Sequence, residues 1–538
     1  MAGRDPAGSA TVLAFAALAM LAGAAVALQV ANLGGGFLSD DLAHVAMIHG
    51  EDARSALPAW VLARFVEPLG NGTFAYRPLA FASYALDWWI WRENAAGWRA
   101  TSVALFVANA VAAGALVWCW LAGHAPRARF AALLGACMLA AYPFVGEISW
   151  WLVGRFDLLA CLFGLLYLIA LPLDRASSPG RHALRLAFLA CALWSRESAV
   201  PLPLIATLLA FCVAFADAEP AARRAAALRT TIRETAPSWL LLAAYLGWRY
   251  ALFGSVLKVY QGSTAPRSLP EWWARTSGVA DIVAANVGAH ALAWTVAAVA
   301  LVAALVVVNV HGPGGNARVR ALAPPLLAGL VLYAAAPALS FPVSSAGGEG
   351  ARHFYPAWLY ASLLAALLVA RRRAAWPFGI ALVAVLLAGQ AQSLRQWHAA
   401  GTTMDAVAAG VARFAPTVGD RQYALLLLPD HVGAALYART AQGAIVAPPL
   451  QPRDFLPRVA VMLSGDFAHW SDLVVNGGVA RLKSSPAFDP ADFLGVWCWN
   501  PQRRAFVPLT GGEYVRDPER WRAAAQANFA RAGCLAPF

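Results

Sequence analysis

The segment EISWWLVGRFDLL, residues 147–159, sets Glu147, Arg155 and Asp157 beside two tryptophans and against an apolar run. Other ionisable residues share such surroundings: Asp40 and Asp41 in LSDDLA, Arg77 in YRPLA, Arg196 and Glu197 in SRESAVPLP, Arg249 in GWRY, and Arg352 with His353 in ARHFYP. These residue types point to two chemistries. A guanidinium keeps its charge at any physiological pH and offers a planar fork of N–H donors that fits phosphate oxygens. A positioned carboxylate takes the proton from a hydroxyl as that hydroxyl attacks an electrophilic carbon. A site with both could hold an anionic headgroup and activate an acceptor. No CxxC pair or His/Cys cluster marks a metal site.

The elements that must position these residues are read from the hydropathy. The chain has 538 residues, is 60% hydrophobic and 13% charged, and carries a formal net charge of +12. Its mean hydropathy is +0.57. A soluble domain carries about twice that share of charge, roughly a quarter of its residues, so lipid is the expected solvent. A transmembrane helix needs about 20 mostly apolar residues. About eleven such spans are expected, near 10–32, 98–122, 130–146, 155–173, 184–195, 198–216, 237–254, 289–310, 322–341, 353–370 and 374–393. The first could imitate a signal peptide; with so many spans following, it reads as an uncleaved helix. SRES interrupts the stretch 184–216, which leaves its division least secure.

Short loops carry the arginines: Arg127 and Arg129, then Arg175, Arg181 and Arg185, Arg223 to Arg233, Arg318 and Arg320, and Arg371 to Arg373. All fall on one side of an eleven-span chain, which marks that side as cytoplasmic. The basic balance is therefore an orientation signal and not a nucleic-acid surface. The N-terminus is then inside. Outside lie residues 33–97, the turns at 147–155 and 195–198, and the tail. In the long first outer loop, WVLARFV and FASYALDWWIW have the content of interfacial helices. The expected organisation is a transmembrane module over 1–393 and a small extracytoplasmic α/β domain over 394–538. In that tail, YALLLL (423–428) and VAVML (459–463) read as strands, and GDFAHWSD and VVNGGVA as turn-rich. Cys119, Cys137, Cys161, Cys191 and Cys212 lie in or beside spans and read as small hydrophobes. Cys498 and Cys534 are the pair outside them, a natural disulfide in an oxidising compartment, the alternative being two free thiols.

The acidic pair after the first span, then YRPLAFASYALDWWIW…GWRATSVALFVANA, YPFVGEISWWLVGRFDLLACLF, LWSRESAVPLPL, YLGWRY and ARHFYP follow one another in this order. This ordered set resembles the membrane-embedded C-type glycosyltransferases, protein O-mannosyltransferase-like branch, over roughly residues 10–395. The resemblance implies transfer of a sugar from a polyprenyl-phosphate carrier, with inversion, to a protein or glycan acceptor outside the cytoplasm. Asp40 corresponds to the family's general base, with Asp41 beside it. Arg77, Arg155, Arg196 and Arg352 become candidates for the donor phosphate, with Glu147, Asp157 and Glu197 among them. No cofactor is expected; a divalent metal would enter only with a pyrophosphate donor. The expected partners are the lipid donor, membrane lipid and the acceptor, and the expected location is a bacterial inner membrane. The chain departs from the pattern at Arg99, where relatives often carry histidine, and at Arg196, where lysine is expected. No tetratricopeptide repeats follow.

Plainer roles exist for each residue. Asp40 and Asp41 could be a solvated helix cap. Glu147, Arg155 and Asp157 could be a structural ion group, and Arg196 with Glu197 a pair in a broken helix. Arg249 reads as a snorkelling or helix-pairing residue, and His44 and His353 as structural. The competing functional class is a transporter or flippase for a lipid-linked glycan. Transporters place charge near the midplane and often show an internal repeat; here the charges share one face and no repeat is seen. A non-catalytic lipid-binding protein would not need Asp40. The topology is tested by a reporter fused after Phe538, which should be active only if it folds outside the cytoplasm. Activity of a cytoplasm-only reporter at the same point would overturn the span count.

Overall fold

The structure, a computed structural model, describes residues 6–69, 75–171, 178–218, 223–256, 268–276, 278–310, 317–335, 349–438, 442–463, 474–476, 479–481, 492–511, 527–529 and 531–534. Arg175 and the segment GDFAHWSD lie outside the described residues. The helices are α1 (Pro6–Ala31), α2 (Asp40–Ala53), α3 (Leu57–Ala63), α4 (Pro78–Trp91), α5 (Ala95–Leu121), α6 (Ala128–Ala140), α7 (Arg155–Ile169), α8 (Pro179–Ser195), α9 (Leu202–Asp217), α10 (Arg223–Phe253), α11 (Leu269–Thr276), α12 (Val279–Val287), α13 (Ala291–Val310), α14 (Ala317–Ala335), α15 (Tyr355–Arg371) and α16 (Trp376–Phe414). The strands are β1 (Tyr423–Leu428), β2 (His431–Val432), β3 (Ala435–Leu436), β4 (Val459–Leu463), β5 (Val474–Asn476), β6 (Val479–Arg481), β7 (Phe493–Asn500) and β8 (Ala505–Gly511).

The chain is a polytopic α-helical membrane protein, and each expected span overlaps a helix, with residues 172–173 and 336–341 of two spans outside the described residues. Among the described residues, eight helical stretches are long and apolar enough to cross a membrane. The other three expected spans lie on α6, which has 13 residues, on α8, which has 17, and on α10, which runs 31 residues with Pro237 inside it. The SRES interruption divides α8 from α9: Arg196 is extended, Glu197–Ala199 forms a 3-10 turn, and Pro201 precedes α9. Pro201 lacks an N–H and its ring crowds the carbonyl four residues back, at Glu197, which favours a break here although α10 accommodates Pro237.

The last helix differs from expectation. It was read as ending at 393, yet α16 continues to Phe414. The reason is periodicity: Leu394, Trp397, Ala400, Met404, Val407 and Val411 are all buried, at three- and four-residue spacing. An apolar stripe of that period keeps one helix face covered after the hydropathy falls.

Contacts divide the chain into two compact units: residues up to Asn32, Ala59–Ser83 and Arg99–Leu394, and, separately, Leu33–Pro58, Tyr84–Trp98 and Arg395 onward. In the first, α1, α6, α15 and α16 close round Leu18, Leu134, Met138, Val369 and Leu386. Phe130 stacks on Trp376 at 3.8 Å, with Phe15 edge-on at 5.4 Å from Phe130. Buried polar groups there bond across helices, as when Trp358 donates to the Met138 carbonyl (2.9 Å) and Gln390 to that of Ala140 (3.0 Å). At one end of this bundle Arg127 donates to the Arg371 carbonyl (3.0 Å) and Arg373 to Thr11 (2.8 Å). The loop arginines at 127 and 371–373 and the start of α1 thus share an end.

In the second unit a four-stranded sheet has the order β4-β1-β7-β8. β1 runs parallel to both β4 and β7, and β7 antiparallel to β8. Every residue of β1 is buried, as suits a central parallel strand covered on both faces. Gly410 of α16 admits Trp499, since a Cβ there would stand 2.5 Å from the indole. Residues 474–476 and 479–481 of VVNGGVAR pair as an antiparallel hairpin.

Cys498 in β7 and Cys534 form a disulfide, with Cα atoms 5.8 Å apart and a sequence separation of 36. A bridge over a loop of that size is worth about 3–4 kcal/mol in the chain-entropy model. Replacing both by serine should lower the unfolding midpoint of the sheet unit accordingly, measured on the full chain. Both thiols should label only after reduction; labelling without reductant would refute the bridge.

Candidate functional site

The turn that carries Glu147 is built from irregular helix. After α6 the chain passes Pro143 and makes a π-helical turn over Gly146–Trp150, then a 3-10 turn over Leu152–Gly154, and enters α7 at Arg155. Isolated π turns are frequent at functional sites. Glycine at 154 is required by space: a Cβ would collide with the carbonyl oxygens of Glu147 and Ile148. The turn is tied down from several helices. Ser149 donates to Gln29 Oε1 (2.7 Å), Trp150 to the Asn32 carbonyl (2.7 Å) and the Gly146 N–H to Ser393 (3.3 Å). Arg99 lies 3.4 Å over the Trp150 ring.

Three buried ion groups stand where α6, α8 and α10 end and α4, α7, α9 and α15 begin. In the first, Glu197 accepts from Arg77 (3.1 Å), Arg249 (3.1 Å) and the Tyr76 N–H (3.0 Å). The Arg77 guanidinium also lies 4.8 Å over the Phe156 ring. In the second, Asp157 pairs with Arg196, whose other terminal nitrogen is 2.8 Å from His353 Nδ1. In the third, Glu147 accepts from Arg352 (3.2 Å) and from the N–H groups of Gly350 and Arg352, while Arg352 also reaches Glu349 at 3.0 Å. Arg352 lies 4.5 Å over the Trp151 ring. Burial pushes the Glu147 carboxyl above the ordinary carboxylate range, against the pull of Arg352. Arg155, fully buried, donates to Ser102 Oγ through two nitrogens, at 3.1 and 3.3 Å.

The structure therefore brings Arg77, Glu197, Asp157, Arg196, Glu147, Arg352 and Arg155 into one compact unit, as three ion groups and one arginine–serine contact. Three participants were read from sequence otherwise or passed over. Arg249 is 1% exposed and shares Glu197, so of its two readings, snorkelling or helix-pairing, the structure bears out the second. His353 and Glu349 each hold an arginine. The signal for Glu349 was its place three residues before Arg352 in GEGARHF, one turn away in a helical backbone.

Asp40 and Asp41 belong to the other unit, at the start of α2. They differ sharply. Asp41 is fully buried and accepts from the Leu38 N–H at 3.4 Å, whereas Asp40 is half-buried. The residue before them, Ser39, is fully buried with φ 47° and ψ −121°, a conformation that costs a side-chain-bearing residue about 1–3 kcal/mol. Its N–H donates to the Tyr437 carbonyl at 2.9 Å, just after β3. Farther along α2, Asp52 accepts from the Trp88 indole (2.9 Å) and Arg92 (2.6 Å), which hold its carboxyl below the usual range.

Just inside the ion groups is an apolar cavity of about 20 Å³, lined among others by Cys161, Ala199, Leu202, Tyr333, Pro356 and Tyr360. Among the described residues no group of three or more His, Cys, Asp or Glu side chains could hold a metal ion.

Two solved structures are similar to this chain. One is ArnT from Cupriavidus metallidurans bound to undecaprenyl phosphate, with 11% sequence identity, a TM-score of 0.45, and coverage of 82% of this chain and 89% of that one. The other is ArnT from the same organism in the apo state, with 13% identity, a TM-score of 0.36, and coverage of 81% and 85%. No family model and no curated protein sequence matches the chain.

The shared carboxylate of Glu197 makes an energetic prediction. Breaking a buried ion group by removing one partner costs about 3–5 kcal/mol. Glu197→Ala should destabilise the detergent-solubilised protein by that order in thermal or denaturant unfolding. Glu349→Ala, which leaves Glu147 on Arg352, should cost much less; equal losses would mean that the shared carboxylate holds nothing special together.

Proposed function

We propose that this chain is an integral membrane glycosyltransferase. It moves a sugar from a polyprenyl-phosphate carrier to a protein or glycan acceptor outside the cytoplasm, with Asp40 as general base. The observation that carries the proposal is the buried ion network. Five arginines (Arg77, Arg155, Arg196, Arg249 and Arg352) gather with four carboxylates (Glu147, Asp157, Glu197 and Glu349) at one end of the helices. A cluster of five guanidiniums favours an anion, and arginine forks suit phosphate. The ordered sequence motifs agree with this reading.

The reaction is a single displacement. The acceptor oxygen forms its bond to the anomeric carbon on the face opposite the carrier phosphate, which inverts the centre. Its proton passes to the Asp40 carboxylate. The electron pair of the breaking bond goes to the phosphate oxygen, so no acid is needed if cations meet the charge that develops there. Between the two acids Asp40 is the better base, because Asp41 is fully buried and already accepts a backbone N–H. The strained Ser39 that precedes Asp40 is what a positioned catalytic acid would have beside it. We place the chain in a bacterial inner membrane, and the loop arginines support an N-terminus in the cytoplasm and a sheet unit outside.

Asp40→Asn keeps size and most hydrogen bonding but cannot accept the proton. It should lower sugar transfer by about two to four orders of magnitude and leave donor binding intact. Arg155→Ala or Arg196→Ala should weaken donor affinity at least as much as turnover. Both are measured on one purified protein. Near-normal transfer by a folded Asp40→Asn variant removes Asp40 from the mechanism, and donor binding without transfer by the unaltered chain would overturn the enzyme in favour of a transporter, a flippase or a non-catalytic lipid-binding protein.

A further inference from the structure

We infer that Arg229 and Arg233 of α10 hold the phosphate of an anionic phospholipid in the leaflet opposite the buried ion groups, with its acyl chains along the apolar stripe that continues from them. The charges of α10 fall at two levels. Arg249 shares Glu197 near the end of the helix. Arg229 and Arg233 precede it by about 24–30 Å along the helix, at 1.5 Å per residue. A hydrocarbon core is about 30 Å thick. With the ion groups at one face of the bilayer, these two arginines therefore stand at the headgroup level of the other.

A further buried ion group presents them. Glu234, 2% exposed, lies 3.6 Å from Arg185 of α8, and the Arg185 guanidinium also donates to the Glu234 carbonyl and to His182 Nδ1 (2.8 Å). Glu234 in turn accepts the Nε–H of Arg233 at 3.1 Å, and Arg229 Nε donates to the Ala225 carbonyl one turn back at 3.4 Å. In both arginines the anchored nitrogen is Nε. The Arg233 side chain is 68% exposed and Arg229 is exposed as well, so the forks of terminal nitrogens are offered to the surroundings. The two residues are one helical turn apart, and like charges at that spacing destabilise a helix. A phosphate between them offsets the repulsion and gives each fork an oxygen to bind.

The rest of the stripe makes the anion a lipid. Leu228 and Ile232 are exposed beside the arginines, at the spacing of one helix face, and exposed Trp239 and Leu240 carry that face on toward the ion groups without a charge. A soluble anion would meet the forks alone. A phospholipid with its phosphate on the forks also covers the apolar surface below them, and basic pockets at the ends of transmembrane helices recognise anionic headgroups in this way.

The measurement is the Kd of dioleoylphosphatidylglycerol for the full-length protein in a neutral detergent, by native mass spectrometry. Dioleoylphosphatidylcholine is the zwitterionic control and glycerol 3-phosphate the control without tails. Thermal unfolding without added lipid runs alongside. Arg229→Gln combined with Arg233→Gln should weaken phosphatidylglycerol binding by roughly tenfold or more, the effect of two basic residues at an anionic headgroup. The unfolding midpoint should not fall, because Glu234 keeps Arg185 and a like-charge pair is removed. Arg229→Gln alone meets no carboxylate among the described residues and should lose roughly fivefold, which keeps the test decisive should the double variant fail to fold. Arg54→Gln, at an exposed arginine of α2, should leave the affinity unchanged. The Kd of a short-chain polyprenyl phosphate should be unaltered in all of these variants.

The site is refuted if the folded variants bind phosphatidylglycerol as the unaltered protein does, if Arg54→Gln loses as much as they do, or if phosphatidylcholine binds as tightly. Displacement of the lipid by glycerol 3-phosphate at equal concentration would refute it too, because the ligand would then be a soluble anion. So would a loss of polyprenyl-phosphate affinity in step with that of phosphatidylglycerol, since the two lipids would then share one site.

Discussion

The fold depends on one constraint: a guanidinium buried among apolar helices must meet a carboxylate or other acceptor. Removing charge from water costs several kcal/mol per ion after relaxation, and the cost is recovered only where geometry and further hydrogen bonds are good. Here the partners come from distant parts of the chain. Glu197 lies between α8 and α9, yet it holds Arg77 before α4 and Arg249 near the end of α10. Asp157 in α7 holds Arg196 after α8, and Glu147 before α7 holds Arg352 before α15. Apolar packing alone would let these helices slide or rotate with little penalty. The ion groups fix which ends meet.

The same constraint shapes the backbone. Each ion group has a member where a helix is interrupted: Glu147 in the π turn over Gly146–Trp150, the extended Arg196 and the neighbouring Glu197, and Arg352 in the 3-10 turn over Ala351–Phe354. Interrupted helix ends leave backbone N–H groups without helical partners, and these add to the side-chain donors. Glu147 shows the combination, taking N–H groups from Gly350 and Arg352 together with the Arg352 guanidinium. Irregular backbone and buried charge therefore support one another, and Gly154 is the steric condition that lets the turn close.

Much of this was legible in the sequence, for physical reasons that differ by element. Long apolar stretches and short arginine loops announce spans directly, so the helices of the bundle fell where expected. YALLLL and VAVML were readable as strands because β-compatible apolar runs of that length are too short for buried helices. The extent of α16 was hidden, because hydropathy averages over both faces while the continuing signal was a one-sided stripe from Leu394 to Val411. The site was legible as a set of residue types and not as pairs. Nothing in one sequence says that Glu197 belongs to Arg77 and Arg249 and not to its neighbour Arg196. Arg249 shows the same limit: a lone arginine near the end of an apolar span looks the same whether it snorkels to water or pairs helices, and the structure selects the second of these two readings.

The acidic pair shows how structure separates neighbours that a sequence leaves equivalent. Asp40 and Asp41 have the same chemistry and adjacent positions, but a helix turns successive side chains by about 100°, so they cannot share an environment. Asp41 turns inward, is fully buried and is spent on the Leu38 N–H. Asp40 keeps partial exposure at the first residue of α2. What fixes that residue is Ser39, held in a backbone conformation that favours glycine by a hydrogen bond from its N–H to the Tyr437 carbonyl. Tyr437 in turn donates its own N–H to the Asp430 carbonyl across the β2–β3 hairpin. The loop after the first span is therefore set by the C-terminal sheet unit. That connection gives the tail a physical task, since the acid proposed as base takes its position from a residue that follows it by almost 400 positions, just after β3.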